Sequence, residues 1–460
     1  MKLLDTIAAV STPRGKGGVA MIRISGQDAI PIGERVFFPM SGKTLSALSH
    51  AHATYGEIRM PEGASVDDGI AVVYRAPRSF TGEDTVEITC HGGVLVTERV
   101  LSAVLAAGAR AAEAGEFTRR SYLSGKMKLT EAEALGNLLE AKTEGQLTLA
   151  RNGMKGHLAL RTEALYDSLR GVLTSLYATI DFPDEDLGEL SREEIIERVA
   201  FVRDEIGGLA KTYRTGRAVS EGIPTVICGR TNAGKSSVYN RIVGYDAAIV
   251  TDVEGTTRDV LRETATLGNT VLRLSDTAGL RKTDDPVESI GMERTQEEID
   301  RAGLILAVFD ASCPPTEADL ALAERISAME TPSIALWNKS DLPFQGEMEK
   351  LRARFTYSLP VSARSGEGFD ALGALIDSLF IDGALNMAED AVVTGARQFA
   401  ALHSAEEALC AALSDLQSGV ALDLCCVEIE DALISLGEVD GRELGEEIVA
   451  EIFSKFCVGK

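Results

Sequence analysis

The sequence predicts a multidomain protein with α/β and all-α parts, in which one α/β domain is inserted into a helical region. Over residues 1–120, short strand-like apolar runs alternate with loops rich in Gly and Pro, whereas residues 121–215 carry leucines at helical spacing. Strand and helix patterns alternate over residues 223–380, and helical spacing then resumes over residues 391–453. This resumption favours an insertion, with the two helical segments packing together. Two separate helical domains are the alternative.

Individual elements follow from the same patterns. The N-terminal part is expected to contain strands at 6–10, 19–24, 69–74 and 85–90 and one apolar helix at 95–107. Apolar residues three and four apart predict long helices in the rest of the chain. The residues that carry this spacing are Leu129, Ala132, Leu135, Leu138 and Leu139; Leu165, Leu169, Leu173 and Leu176; and Leu402, Ala405, Leu409, Ala412, Leu413 and Leu416.

Length and composition limit the class of protein. A chain of 460 residues corresponds to two to four domains at roughly 100–200 residues each. Its hydrophobic content of 45% and charged content of 25% exclude a disordered chain. No apolar run reaches the length of a membrane helix, and the seven cysteines form no CxxC pair. We therefore expect a soluble cytoplasmic protein with reduced thiols.

The charge of the chain is unevenly distributed. The formal net charge is −24, of which residues 1–120 contribute nothing, residues 223–383 contribute −9 and residues 384–460 contribute −11. Phosphate backbones are bound mainly by Lys and Arg, so this chain is poorly suited to hold a nucleic acid by itself. The acidity predicts that any RNA is held mainly by a partner.

Residues 229–236 fit the phosphate-loop pattern GxxxxGK[ST]. They follow a strand-like run at 225–228 and precede a helical run, which is the context that the motif requires. Backbone N–H groups of such a loop hold phosphates, Lys235 would contact the outer ones, and Ser236 would bind Mg²⁺.

Further motifs follow in the order typical of GTPases. Asp276, Thr277, Ala278 and Gly279 follow a strand-like run, as do Asn338, Lys339, Ser340 and Asp341. The Asp341 carboxylate can accept hydrogen bonds from the ring N–H and the amine of guanine, which adenine does not offer as a pair. Ser362, Ala363 and Arg364 stand where GTPases contact the guanine carbonyl, and Thr257 is the candidate switch threonine. The combination predicts GTP binding.

The hydrolytic residue is less obvious from the motifs. The position after Gly279 is Leu280, which cannot orient water as glutamine does in many GTPases. Glu288 is a candidate, and a solvated acid at a helix start is the alternative. Asn232 offers an oxygen that could hold a monovalent cation between the phosphates; a loop residue that satisfies local backbone groups is the alternative.

These motifs resemble those of the MnmE family of tRNA-modification GTPases. The resemblance covers essentially the whole chain and includes residues 12–19, 23–26, 80–84, 115–120, 180–185, 229–237, 251–259, 276–280 with Glu288, and the terminal Cys457, Val458, Gly459 and Lys460. It implies an N-terminal folate-binding and dimerisation domain at 1–119, a helical domain made from 120–216 and 383–460, and a Ras-like P-loop G domain inserted at 217–382.

The resemblance also implies a function. The family works as a homodimer whose GTPase is activated by K⁺ when two G domains meet. The resemblance implies that, in a heterotetramer with the FAD-dependent partner MnmG, the protein adds an aminomethyl or carboxymethylaminomethyl group to the wobble uridine of tRNA. A 5-formyl- or 5,10-methylene-tetrahydrofolate is the implied one-carbon source.

Residue roles carry over by position. The implied catalytic residues are Glu288, Lys235 and Cys457, the K⁺ ligands Asn232, Thr251, Val253 and Thr256, the Mg²⁺ ligands Ser236 and Thr257, and the folate contacts Arg23, Glu83, Lys126 and Lys460. The GTP-binding set is Asn232, Ala233, Gly234, Lys235, Ser236, Ser237, Thr251, Thr256, Thr257, Asp276, Thr277, Ala278, Gly279, Asn338, Lys339, Asp341, Ser362, Ala363 and Arg364.

Other interpretations remain for several of these residues and for the function. Arg23 could form a structural ion pair with Glu83, Lys126 could simply be solvated, and Cys457 could be an inert small hydrophobe. A ribosome-assembly or signalling GTPase is the alternative function, although that class usually carries a basic RNA-binding domain. A folate enzyme that GTP only regulates is a third.

Overall fold

The structure is a computed structural model that describes residues 5–181, 190–244, 263–275, 299–343 and 349–459. It contains two compact units. The first comprises residues 1–136, 159–189 and 421–460, and the second comprises residues 137–158 and 190–420. The chain is thus a multidomain protein with two α/β sheets and additional helices.

A seven-stranded mixed sheet forms the centre of the first unit. Its strands lie in the order β3-β4-β5-β6-β2-β1-β7. The bounds are β1 Ile7–Val10, β2 Val19–Ser25, β3 Phe37–Pro39, β4 His52–Arg59, β5 Ser65–Tyr74, β6 Thr85–His91 and β7 Arg110–Ala111. Helices α1 (Ala29–Val36) and α2 (Val94–Ala106) contribute to one apolar core with the sheet. The sequence patterns found β1, β2, β6 and α2 nearly to the residue and the second part of β5, but they missed α1, β3, β4 and β7.

The two faces of this sheet have different chemistry because side chains alternate along each strand. On β2, Ala20, Ile22 and Ile24 are buried in the core that α1 and α2 cover. Val19, Met21 and Arg23 therefore lie on the opposite face. Antiparallel pairing with β6 sets Arg23 directly across from Glu87.

In the part of the chain that the structure describes, five further helices belong wholly or partly to the first unit. They are α3 (Glu116–Leu123), the first part of α4 (Leu129–Glu140), most of α6 (His157–Asp181), α13 (Leu422–Asp440) and α14 (Glu446–Ser454). Leu129, Ala132, Val449 and Phe453 form a small core between α4 and α14. The leucines predicted at helical spacing on α6 are buried, as expected for its core-facing stripe.

The second unit contains a six-stranded sheet with the order β13-β12-β11-β8-β10-β9. The strands are β8 Ile223–Cys228, β9 Glu263–Leu267, β10 Thr270–Leu274, β11 Leu304–Asp310, β12 Ser333–Asn338 and β13 Tyr357–Pro360. All pairs are parallel except β9 with β10. Every residue of β11 is buried, because apolar clusters cover both faces of the sheet.

Helices complete the second unit. Those of the α/β part are α8 (Lys235–Gly244), α9 (Glu317–Ser327), α10 (Glu349–Arg352) and α11 (Phe369–Phe380), and the others are α5 (Glu144–Met154), α7 (Arg192–Ser220) and α12 (Ala396–Gln417). The helices α7 and α12 flank the α/β part in sequence and pack along each other, with Tyr213 stacked on Phe399 at 4.5 Å. All six residues of the predicted α12 stripe are buried. Among the described residues, no helix is long and apolar enough to cross a membrane.

Candidate functional sites

The phosphate loop connects β8 to α8 in the second unit. Gly229 and Gly234 have φ angles of 153° and 95°, which residues with a Cβ rarely adopt. A Cβ on Gly234 would also lie 2.2 Å from Nδ2 of Asn338. The loop therefore requires glycine there, and it presents Ser236 and Ser237 as exposed residues in the first turn of α8. Such a turn favours an anion through its free N–H groups and the helix dipole.

Lys235 is held over this loop by backbone oxygens. Its Nζ donates to the carbonyls of Gly229 at 2.9 Å and Arg230 at 3.0 Å. Burial lowers the pKa of Lys235, because the ammonium loses solvation there. This is the position from which a phosphate-loop lysine neutralises the outer phosphates of a nucleotide.

Asn338 joins the phosphate loop to two other segments. The side chain is buried at the end of β12, where its Nδ2 donates to the carbonyl of Ala233 at 3.0 Å. Its Oδ1 accepts from the backbone N–H of Ala363 at 3.1 Å. The next residue, Lys339, donates from Nζ to the carbonyl of Asn232 at 3.1 Å. One short segment thus fixes the positions of two loops.

The base-recognition residues lie beside this junction. The exposed Asp341 carboxylate accepts a hydrogen bond from the Ser362 hydroxyl at 2.7 Å. Arg241 of α8 donates to the carbonyls of Ala363 at 3.2 Å and Arg364 at 2.9 Å. The structure therefore brings together the phosphate loop, residues 338–341 and residues 362–364, the three described motifs that the sequence assigned to GTP.

A second polar site lies on the face of the first sheet that is opposite α1 and α2, where Ile7 and Ala9 pack against Phe117. Arg23 forms an ion pair with Glu87, at 2.9 Å between Nε and Oε1. Its guanidinium also lies 5.4 Å and 5.7 Å from the ring centroids of Phe80 and Phe117, in cation–π range. The alternative of a structural ion pair for Arg23 is present, but its partner is Glu87 and not Glu83, because the strand register sets Glu87 opposite Arg23 and Glu83 precedes β6.

Glu83 instead belongs to a buried charge network centred on Arg120. The side chain of Arg120 is only 2% exposed and pairs with Glu83 at 3.1 Å, Asp5 at 2.7 Å and Glu116 at 3.0 Å. Glu83 also accepts from the Ser25 hydroxyl at 2.8 Å. Burial raises the pKa of Glu116, but hydrogen bonds from Arg110, the backbone N–H of Glu113 and Arg120 outweigh it, so the net shift is downward. The fully buried Glu116 carboxylate is thus compensated by two arginines, Arg110 and Arg120.

Lys126 lies at the edge of the same network. Its exposed ammonium donates to the backbone carbonyls of Pro77, at 3.1 Å, and Ser79. The Ser79 hydroxyl donates to the carbonyl of Glu83 at 2.5 Å. Arg23, Glu83 and Lys126 thus belong to one connected surface around residues 77–87.

The C-terminal segment is bound to the first sheet. Val458 forms an isolated antiparallel bridge with Ala114, and the backbone N–H of Gly115 donates to the carbonyl of Cys457 at 3.3 Å. The Ser11 hydroxyl donates to the carbonyl of Gly459 at 2.9 Å. The Cys457 side chain is a free thiol and is exposed.

Several predicted site residues lie outside the described residues. They are Thr251, Val253, Thr256, Thr257, Asp276, Thr277, Ala278, Gly279, Glu288 and Lys460. The structure also shows a charge network that the sequence motifs do not predict, formed by Arg120, Glu116, Asp5 and Ser25 with Glu83. Residues 115–120 belong to the motifs that resemble the MnmE family, but only the three-dimensional structure shows that Arg120 is buried.

A βα phosphate loop at the end of a parallel strand, next to a buried asparagine and an exposed carboxylate three residues further on, is the arrangement of a P-loop GTPase. Known proteins agree with this class and narrow it. A family model described as "MnmE helical domain" matches residues 129–457, and one described as "GTP-binding protein TrmE N-terminus" matches residues 6–126. The chain belongs to the MnmE family of tRNA modification GTPases.

Individual relatives match over their full length. The chain is 42% identical over 462 residues to the tRNA modification GTPase MnmE of Symbiobacterium thermophilum, with 99% of each chain covered. It is 40% identical to that of Geobacillus kaustophilus, with 100% of each chain covered. The protein of Bacillus subtilis is 38% identical, with 99% of this chain and 100% of the relative covered.

Proposed function

We propose that the protein is a potassium-activated GTPase that modifies the wobble uridine of tRNA together with an FAD-dependent partner, MnmG. The group installed is aminomethyl or carboxymethylaminomethyl at C5, and a tetrahydrofolate derivative provides the one-carbon unit. The observation that carries the proposal is the full-length match to tRNA modification GTPases, and it is supported by a phosphate loop that lies beside the residues predicted to recognise guanine. The same observation disfavours a ribosome-assembly or signalling role.

The described residues of the GTP site have the chemistry that the proposed ions need. Ser236 and Asn232 are exposed and offer oxygen ligands, which suit Mg²⁺ and K⁺ respectively. We assign Mg²⁺ to Ser236 and Thr257 and K⁺ to Asn232, Thr251, Val253 and Thr256. Lys235 neutralises charge on the outer phosphates, and Glu288 orients the attacking water in place of the glutamine that Leu280 replaces.

The charged surface of the first unit fits a folate. Arg23 between two aromatic rings can hold a flat ring system, the Glu83 carboxylate can accept from ring N–H groups, and the exposed ammonium of Lys126 suits the carboxylates of a glutamate tail. Lys460 completes this set in the proposal. A bound tetrahydrofolate supplies the one-carbon unit. The chain's own residues bind and orient the folate, and the exposed Cys457 is required for modification.

The proposed architecture follows the family. Residues 1–119 form the folate-binding and dimerisation domain, 120–216 and 383–460 the helical domain, and 217–382 the G domain. The protein acts as a homodimer in the cytoplasm, and it forms a heterotetramer with MnmG. The net charge of −11 over residues 384–460 supports a division of labour in which the partner holds most of the tRNA.

The modification is tested by nucleoside mass spectrometry of tRNA. In cells lacking the protein, the modified wobble uridines disappear; the wild-type gene restores them and the Cys457→Ser gene does not. Purified Cys457→Ser protein retains its GTPase rate. A normal nucleoside profile in the deletion strain, together with co-sedimentation of the protein with ribosomes, would instead favour the ribosome-assembly alternative.

The ion dependence is tested by GTP turnover in KCl and in NaCl at equal ionic strength. Turnover is faster in KCl, and Glu288→Ala abolishes it whereas the nearby Glu293→Ala does not. Equal rates in the two salts, or full activity of Glu288→Ala, contradicts the mechanism. Modification that proceeds with a non-hydrolysable GTP analogue would make GTP a regulator only.

A further inference from the structure

The loop between β11 and α9, residues 310–319, contacts both halves of the GTP site and has no role in the motifs described above. It begins with Asp310, the last residue of β11, which is 8% exposed. It ends at Asp319, in the first turn of α9, which is 3% exposed. Two buried carboxylates at the two ends of one loop are costly unless cations compensate them.

The cation that compensates Asp310 is Lys339 of the guanine-recognition segment. The two side chains form an ion pair at 2.5 Å. The other carboxylate oxygen of Asp310 accepts from the backbone N–H of Ser312 at 3.0 Å and from its hydroxyl at 2.6 Å. The carboxylate is therefore oriented from its own loop and directed at one ammonium group. Burial raises the pKa of Asp310, but the Lys339 and Ser312 contacts outweigh this and lower it overall.

Lys339 needs such an anchor because its backbone is strained. It has a φ of 66°, in the left-handed region that residues other than Gly, Asn and Asp rarely occupy. A strained residue persists where its surroundings fix it. The Lys339 ammonium donates to the carbonyl of Asn232, which has a φ of 66° as well. Asp310 thus holds a lysine that spans from the recognition segment to the phosphate loop.

The far end of the loop contacts the phosphate loop independently. The guanidinium of Arg230 pairs with Asp319 at 3.2 Å and donates from Nη2 to Sγ of Cys313 at 2.8 Å. Asp319 is fixed by a capping box, accepting from the backbone N–H of Thr316 at 2.9 Å. Residues 310–319 therefore contact the phosphate loop through Arg230 and the recognition segment through Lys339.

We propose that Asp310 is a positioning residue for guanine-nucleotide binding, acting through the ammonium of Lys339. Asp310 touches neither the base nor the phosphates in this proposal. It sets the affinity for nucleotides by keeping Lys339 in place across the phosphate loop, and Ser312 supports it by orienting the carboxylate. The residue affects binding of GTP and GDP alike and leaves the chemical step to other groups.

The central test is Asp310→Asn in the full-length protein, with affinity measured by titration of fluorescent GDP. Asparagine keeps the shape and an acceptor for Ser312 but removes the charge. We expect the Kd for GDP to rise about tenfold and KM for GTP to rise with it, while kcat stays within about twofold. The control is Glu324→Gln, which removes an exposed ion pair of the same unit at 3.7 Å from Arg354 and leaves Kd unaltered.

A double-mutant cycle separates positioning from a merely structural role. In a Lys339→Met background, Asp310→Asn has no further effect on Kd, because the residue acts only through that lysine. Ser312→Ala also raises Kd, but by a smaller factor than Asp310→Asn. This variant tests the orientation of the Asp310 carboxylate without altering any charge. An unchanged Kd in Asp310→Asn, an equal effect in both backgrounds, or a fall in kcat with KM unchanged overturns the proposal.

Discussion

Removal of the Asn338 side chain should weaken both the second unit and its GTP site. Asn338→Ala deletes one hydrogen bond to the carbonyl of Ala233 and one from the N–H of Ala363, at 3.0 Å and 3.1 Å. Each bond that leaves a buried polar group unpaired costs about 1–3 kcal/mol. We therefore expect the free energy of unfolding of the second unit to fall by about 2–6 kcal/mol.

The same two bonds connect the phosphate loop to residues 362–364, so nucleotide binding should fall as well. Without the Asn338 side chain, part of the binding free energy is used to order the phosphate loop and residues 362–364, which Asn338 otherwise holds in place. We expect guanine-nucleotide affinity to drop about ten- to hundredfold, equivalent to about 1.4–2.8 kcal/mol.

Two assays check this prediction. Urea unfolding reports stability, and titration of fluorescent GDP reports affinity, each with Asn240→Ala as a control at an exposed position on α8. A loss of stability below about 0.5 kcal/mol, the range of ordinary surface substitutions, would refute the coupling, as would an affinity equal to that of the control.

Three further predictions address the two sites. Gly234→Ala, which brings a Cβ to 2.2 Å from Nδ2 of Asn338 at a φ of 95°, abolishes GDP binding in the same titration while leaving far-UV circular dichroism unchanged. Arg120→Met leaves three carboxylates without their shared cation and lowers the free energy of unfolding of the first unit by about 3–5 kcal/mol. Thermal unfolding measures this loss. A loss no larger than that of the exposed Arg170→Met variant would contradict a stabilising role for the charge network. The pKa of Glu116 is lower in the folded state than in the unfolded chain. The ionised side chain therefore stabilises the fold above about pH 4.3, and this contribution is lost as the pH falls through the folded pKa. Between pH 7 and pH 3, the urea midpoint of Glu116→Gln should therefore fall less steeply than that of the wild type.

The sequence alone determined the class of the G domain, and the reason is chemical. A phosphate loop needs glycine at fixed positions, a lysine and a hydroxyl residue, and guanine recognition needs a carboxylate. These requirements can be recognised directly in the amino-acid sequence. The structure brings the three described motifs together as expected for strands that end at one edge of a parallel sheet. Helical periodicity was also informative, since the stripes on α6 and α12 are buried. On α4, Leu129, Ala132 and Leu135 are buried, but Leu139 is exposed.

Tertiary structure decided which charges meet. Arg23 pairs with Glu87 because of strand register, and Glu83 pairs with Arg120 from a helix more than thirty residues away. Asp310 and Lys339 are likewise joined only by the packing of β11 beside β12. Periodicity reports which face of an element is apolar, but it does not report which element covers that face. Local sequence motifs therefore identify the chain as a P-loop GTPase. The charge networks that hold its sites in place depend on ion pairs between segments that are distant in sequence.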